Sequence, residues 1–121
     1  MKRLIVSLKT ADELFTGFRR ALHKARKNKI KSPHFEISFD NKKGFDRFVR
    51  NIDILKYILV YKPKSVYELA KITKIDVSNL NKVILFFEEI GALRVKITTE
   101  SGRTVKKPVV EYDTIEFKLA A

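Results

Sequence analysis

At Gly91 the apolar residues of this chain change their spacing. Upstream, Val77, Leu80, Ile84, Phe87 and Ile90 recur at the interval of a helix buried along one stripe. Downstream, Leu93, Val95 and Ile97 alternate with Arg94 and Lys96, as in a strand. Glycine tolerates positive φ just past a helix C-terminus, so Gly91 is a natural stop between the two. Glu100-Ser101-Gly102 then supplies a turn and apolar residues return from Val105 to Tyr112, which reads as a β-hairpin. Pro108 offers no amide hydrogen and so predicts an edge or a bulge in the second strand. A last strand, Ile115 to Leu119, follows a turn at Asp113-Thr114.

Working back from Gly91, the Val77–Ile90 helix is preceded by a turn at Thr73-Lys74-Ile75-Asp76 and by a short helix. Ser65-Val66-Tyr67-Glu68 is a capping box that opens that helix, with Val66, Leu69, Ala70 and Ile72 facing inward. Before Pro63, the residues Phe45, Phe48, Val49, Ile52, Leu55, Ile58 and Leu59 keep helical spacing to about Tyr61, behind a cap at Asp40 or Asn41. Asn51 and Asp53 allow this stretch to be one helix or two. His34 to Phe39 alternates as a half-buried strand, and Leu4 to Leu8 is a short β-prone run. Between them Thr10-Ala11-Asp12-Glu13 opens an amphipathic helix that buries Leu14, Phe15, Phe18, Ala21, Leu22 and Ala25 and runs to about Asn28, followed by a linker from Lys29 to Pro33.

Two short helices around a tight turn, followed at once by a hairpin, is the order of a winged helix-turn-helix. The expected fold class is therefore α+β, a winged helix-turn-helix over 41–121 with a strand-helix-strand extension over 1–40.

Composition narrows the chemistry. The 121 residues contain no cysteine, which removes disulfides, thiol catalysis and cysteine-ligated metals. No apolar run approaches the roughly 20 residues of a membrane span. The apolar stretch behind Met1-Lys2-Arg3 is too short for a signal peptide, so a soluble cytoplasmic protein is expected. Lys and Arg number 26 against 14 Asp and Glu, a net charge of +12 that attracts polyanions over long range. Residues 1–31 are the most basic part, with ten basic and two acidic side chains.

In the helix after the turn, Asp76, Ser78, Asn79, Asn81 and Lys82 point away from the apolar stripe. Asn and Lys hydrogen-bond base edges, so Ser78, Asn79, Asn81 and Lys82 are the candidates for base readout in double-stranded DNA. Ser65, Tyr67, Lys71 and Lys74, on the preceding helix and the turn, are candidates for the phosphate backbone. Arg94, Lys96, Arg103, Lys106 and Lys107 populate the hairpin, with Arg103 beside Gly102 placed to reach a minor groove. Taken singly each lysine is an ordinary solvated residue; the expectation rests on their joint placement.

The run SVYELAKITKIDVSNLNKVILFFEEIGAL, Ser65 to Leu93, resembles the winged helix-turn-helix of MarR-like prokaryotic regulators. The leading strand, the amphipathic helix, the HFEISF strand and the terminal Tyr112-Asp113-Thr114-Ile115-Glu116-Phe117 look like a group of archaeal and bacterial members with an added N-terminal segment. The resemblance implies a homodimeric, repressor-like protein, and some of the group look like antitoxins with a toxin partner. One departure is apolar: Val83, Leu85 and Phe86 stand where the family usually carries charge, too far along the helix for groove contact. They are expected to pack on the N-terminal segment or to form a partner or dimer surface.

No catalytic motif is present. His23 and His34 lack paired ligand spacing, there is no glycine-rich phosphate loop, and Asp40, Asp46 and Asp53 read as caps and surface charge. No metal and no cofactor is expected. A protein-interaction module built on the basic N-terminal helix and the Val83-Leu85-Phe86 surface is the main alternative, although strong positive charge is a poor match for a basic toxin. Double-stranded RNA is a third, weakened by the burial expected for most of the phenylalanines.

Overall fold

A computed structural model describes residues 2–9 and 35–119. The helix expected from Thr10 to about Asn28, the linker behind it, and His23 and His34 lie outside the described residues. The elements are β1 (Lys2–Leu8), β2 (Phe35–Phe39), α1 (Lys42–Arg50), α2 (Ile52–Tyr61), α3 (Val66–Thr73), α4 (Val77–Ile90), β3 (Arg94–Glu100), β4 (Arg103–Val109) and β5 (Tyr112–Lys118). The fold is mixed α+β.

β1 is the centre of a three-stranded sheet in the order β2-β1-β5, parallel on both sides. Its consecutive residues Leu4, Ile5, Val6 and Ser7 are all buried, so both of its faces are covered, as parallel strands require. Leu4 and Val6 point into the main core, beside Ile115 and Phe117 of β5. On the opposite face Ser7 and Ser38 bring their hydroxyls within 3.3 Å, a polar pair that satisfies itself. The sheet draws two strands from 1–40 and one from 41–121.

Asn41 caps α1 by accepting from the Gly44 amide at 2.8 Å. The 41–61 stretch is two helices: Asn51 leaves helical geometry with φ near −110°, and its side chain donates back to the Arg47 carbonyl at 2.9 Å. The break turns α1 so that Phe48, fully buried, meets both Phe117 of the sheet and Phe87 of α4, with ring centroids 6.4 and 5.9 Å apart. Phe45 and Phe39 extend the cluster edge-on. This aromatic group joins sheet to helices.

β3 and β4 form a separate two-stranded antiparallel hairpin. Ser101 and Gly102 both have positive φ, 50° and 79°, the signature of a type I′ turn whose twist suits a hairpin. Two expectations change here. The strand expected from Val105 to Tyr112 ends at Val109, and the last strand begins at Tyr112, not at Ile115. The cause is burial: Val110 and Tyr112 turn into the core, where the Tyr112 hydroxyl donates to the Ala92 carbonyl and the chain leaves the hairpin for the other sheet. Burial also pushes the Tyr112 phenol well above its usual pKa. Ile97, in phase with Leu93 and Val95, is 64% exposed because the hairpin projects past the body after Val95.

Candidate functional site

α3 and α4 are joined by three residues, Lys74 to Asp76, and each end of the turn is fixed by a local bond. Ser65 opens α3 by accepting from the Glu68 amide at 3.0 Å. Lys74 closes it in left-handed geometry with φ 60°. The Thr73 hydroxyl donates to the Leu69 carbonyl at 3.0 Å and lies 3.4 Å from the Ile75 amide, which donates to it. Asp76 then caps α4, one carboxylate oxygen accepting from the amides of Ser78 and Asn79 at 3.1 and 3.3 Å. A carboxylate there also complements the positive end of the helix dipole.

This turn fixes how α4 is displayed. Leu80, Ile84 and Phe87 are buried, whereas Ser78, Asn79, Asn81 and Lys82 are all exposed around its first turns. The exposed start of α4 therefore combines a hydroxyl, two amides and an ammonium, groups that donate and accept hydrogen bonds and that no side chain among the described residues consumes. Asp76 belongs to the cap and not to the display.

The flanking cations divide by what holds them. Ser65 is half-buried and its oxygen is occupied by the cap, while Tyr67 is exposed with the Lys71 ammonium 4.7 Å from its ring centroid. Lys74 is exposed at the turn. On the hairpin Lys96, Arg103 and Lys106 are exposed and Lys107 is half-buried. Register puts Lys96 directly opposite Lys107 and Arg103 opposite Glu100. Arg94 is different: its Nη1 lies 2.7 Å from Glu111 Oε1, and that buried oxygen has no aligned hydrogen bond of its own among the described residues. Arg94 is thus engaged within the chain by a carboxylate that sequence spacing did not single out.

Val83 and Phe86 are half-buried against the core, and the Arg47 guanidinium sits 4.4 Å from the Phe86 ring centroid. Leu85, at 55% exposure, is the member of that trio presented to solvent. Arg47 is a residue that helical periodicity passes over, since only the break at Asn51 turns it toward α4.

A concave feature lies elsewhere. A groove of about 580 Å³ runs between α2 and the start of β5, walled by Ile52, Leu55, Leu59, Val60, Tyr112 and Ile115. Among the described residues no group of three or more His, Cys, Asp or Glu is placed to hold a metal ion, and no helix is long and apolar enough to cross a membrane.

No curated protein and no solved structure matches the chain. A family model, HVO_A0114, matches residues 49–117, from the last turn of α1 through the helices and the hairpin into β5. That span is more than half of the sequence, and the chain belongs to the HVO_A0114 family.

Proposed function

We propose that this protein is a cytoplasmic, sequence-specific double-stranded DNA-binding regulator of the winged helix-turn-helix kind, similar to MarR-like repressors. In this reading α4 enters the major groove and the β3–β4 hairpin is the wing on the flanking backbone. The observation that carries it is the exposed row Ser78, Asn79, Asn81 and Lys82 on the first turns of α4, directly behind a capped three-residue turn. Asn79 and Asn81 offer amides for base edges, and Lys82 offers a cation for bases or phosphate. Tyr67, Lys71 and Lys74 on one side and Lys96, Arg103, Lys106 and Lys107 on the other supply phosphate contacts. Arg94, held by Glu111, contributes least.

The net charge of +12 supports a strong, salt-sensitive component. An antitoxin-type role remains a second reading, favoured by one observation, the exposure of Leu85 on the far half of α4. The two readings differ in what Leu85→Asp does. Under the first it leaves DNA binding unchanged; under the second it abolishes capture of the partner.

The decisive experiment titrates the purified protein against DNA from upstream of its own gene, scrambled duplex and duplex RNA across a range of salt. A preference of about 1,000-fold or more for the upstream DNA is the expected result. Lys82→Ala and Arg103→Ala should weaken binding to all duplexes and flatten its salt dependence, whereas Asn79→Ala or Asn81→Ala should change sequence preference. Equal binding to every polyanion, unaltered in these variants, would falsify the proposal.

A further inference from the structure

Among the described residues β5 pairs with β1 alone, and its other edge is open. An open edge is a template for another strand. This edge also carries apolar groups: Phe117 is 41% exposed and Leu119, just beyond the strand, is 97% exposed. At the sheet's other edge among the described residues, β2 differs, because Ile37 and Phe39 are already buried within the chain.

We infer that β5 is the interface at which two copies of this chain join, antiparallel, about a two-fold axis at Phe117. A two-fold that relates antiparallel neighbours stands perpendicular to the sheet, so each face of one copy continues as the same face of the other. The register β1–β5 puts Ile115 and Phe117 beside Leu4 and Val6 on the core face; Leu119 is one residue past the strand, and extending the strand by that residue in the paired state would bring it to the same face. Glu116 and Lys118 occupy the outer face.

Centred on Phe117, the pairing sets Phe117 against the partner's Phe117 and Ile115 against the partner's Leu119, all apolar on the core face. It sets Glu116 against the partner's Lys118, twice by symmetry, on the outer face. Glu116 is already turned along this face, 3.4 Å from Arg3 of the neighbouring β1, and retains a second carboxylate oxygen for the incoming ammonium. Other registers are poorer. A two-fold at Ile115 puts Asp113 against Phe117, and one at Glu116 puts the two Glu116 carboxylates face to face.

The groove beside the edge completes the fit. Ile115 lines it together with Leu55, Leu59 and Val60 of α2, and its volume of about 580 Å³ has room for the leucine that this register delivers there. The partner's Leu119 would leave water for an apolar slot, and the reciprocal contact forms at the same time.

The test is sedimentation equilibrium of the full chain across the micromolar range, without DNA, so that its outcome is independent of the DNA-binding reading. Wild type is expected to be a dimer. Leu119→Asp, at a side chain without burial in the monomer, should raise the dimer dissociation constant by about 100-fold or more. Glu116→Lys sets lysine against lysine and Lys118→Glu sets glutamate against glutamate, each weakening self-association by roughly tenfold. Mixing these two variants should restore dimers, now heterodimers, because each chain then carries one sign of charge throughout. Circular dichroism of each variant checks that the monomer is folded. A monomeric wild type overturns the inference and makes Glu116 and Lys118 guards of an unpaired edge. A dimer indifferent to Leu119→Asp, or a mixture that fails to recombine, overturns it equally.

Discussion

Two of the three strands of the parallel sheet and both strands of the hairpin are seven residues long, yet sheet and hairpin are held in opposite ways. In the sheet, β1 is enclosed on both faces and its partners come from distant parts of the chain. In the hairpin, β3 and β4 are adjacent in sequence, joined by a two-residue turn, and only their base, at Val95 and Pro108, reaches the core. Side-chain burial holds the first, and local turn geometry aligns the second. A projecting surface of the latter kind is free to vary its charges without endangering the fold, which is where Lys96, Arg103 and Lys106 stand.

The contrast is most exposed to refutation by paired truncations. Leu4→Ala in β1 should cost about 2–5 kcal/mol in urea unfolding, since it empties a fully buried site, while Ile97→Ala in β3 should stay within about 0.5 kcal/mol. Equal costs would erase the distinction. Tyr112, where the chain passes from hairpin to sheet, is next. Tyr112→Phe should lose about 1–3 kcal/mol, because the buried Ala92 carbonyl is left without its donor. The same residue predicts a pH effect. With the phenol kept protonated by burial in the folded state, the unfolded chain releases this proton first as pH rises past about 10, so stability falls above that pH. Stability curves of wild type and Tyr112→Phe should converge there.

The smallest effect sharpens the claim about the turn. Gly102→Ala at φ 79° should cost about 1 kcal/mol through left-handed backbone strain, with open space around the new methyl group. Hydrogen exchange should show the loosening confined to β3 and β4, with protection in β1 unchanged. Loss of protection throughout would mean that the hairpin supports the body after all.

The features readable from sequence were those set by near neighbours. The caps at Ser65 and Asn41, the stop at Gly91, the turn at Ser101-Gly102 and the exposed row on α4 all follow from residues within one or two turns. What escaped depends on distant partners. Alternation puts Ile97 in phase with Leu93 and Val95 but cannot tell that the hairpin outruns the body and leaves it in solvent. Nor does it distinguish a continuous strand from one whose end, at Val110 and Tyr112, is drawn into another layer. In the candidate site, exposure of Asn79 or Lys82 is a matter of helical phase. The capture of Arg94 by Glu111, and of Phe86 by Arg47, requires the path of the chain in space.

The pairing of Lys2–Leu8 with Tyr112–Lys118 also bears on how the molecule comes off the ribosome. Helices and hairpin emerge with their partners close behind, but the first strand waits for the last, across more than a hundred residues of loop closure. During that interval Leu4, Ile5 and Val6 lack one of their two neighbours and present an apolar row to whatever else is in the cell. Slowing translation near Tyr112 would lengthen that window, and the yield of folded protein should fall with it.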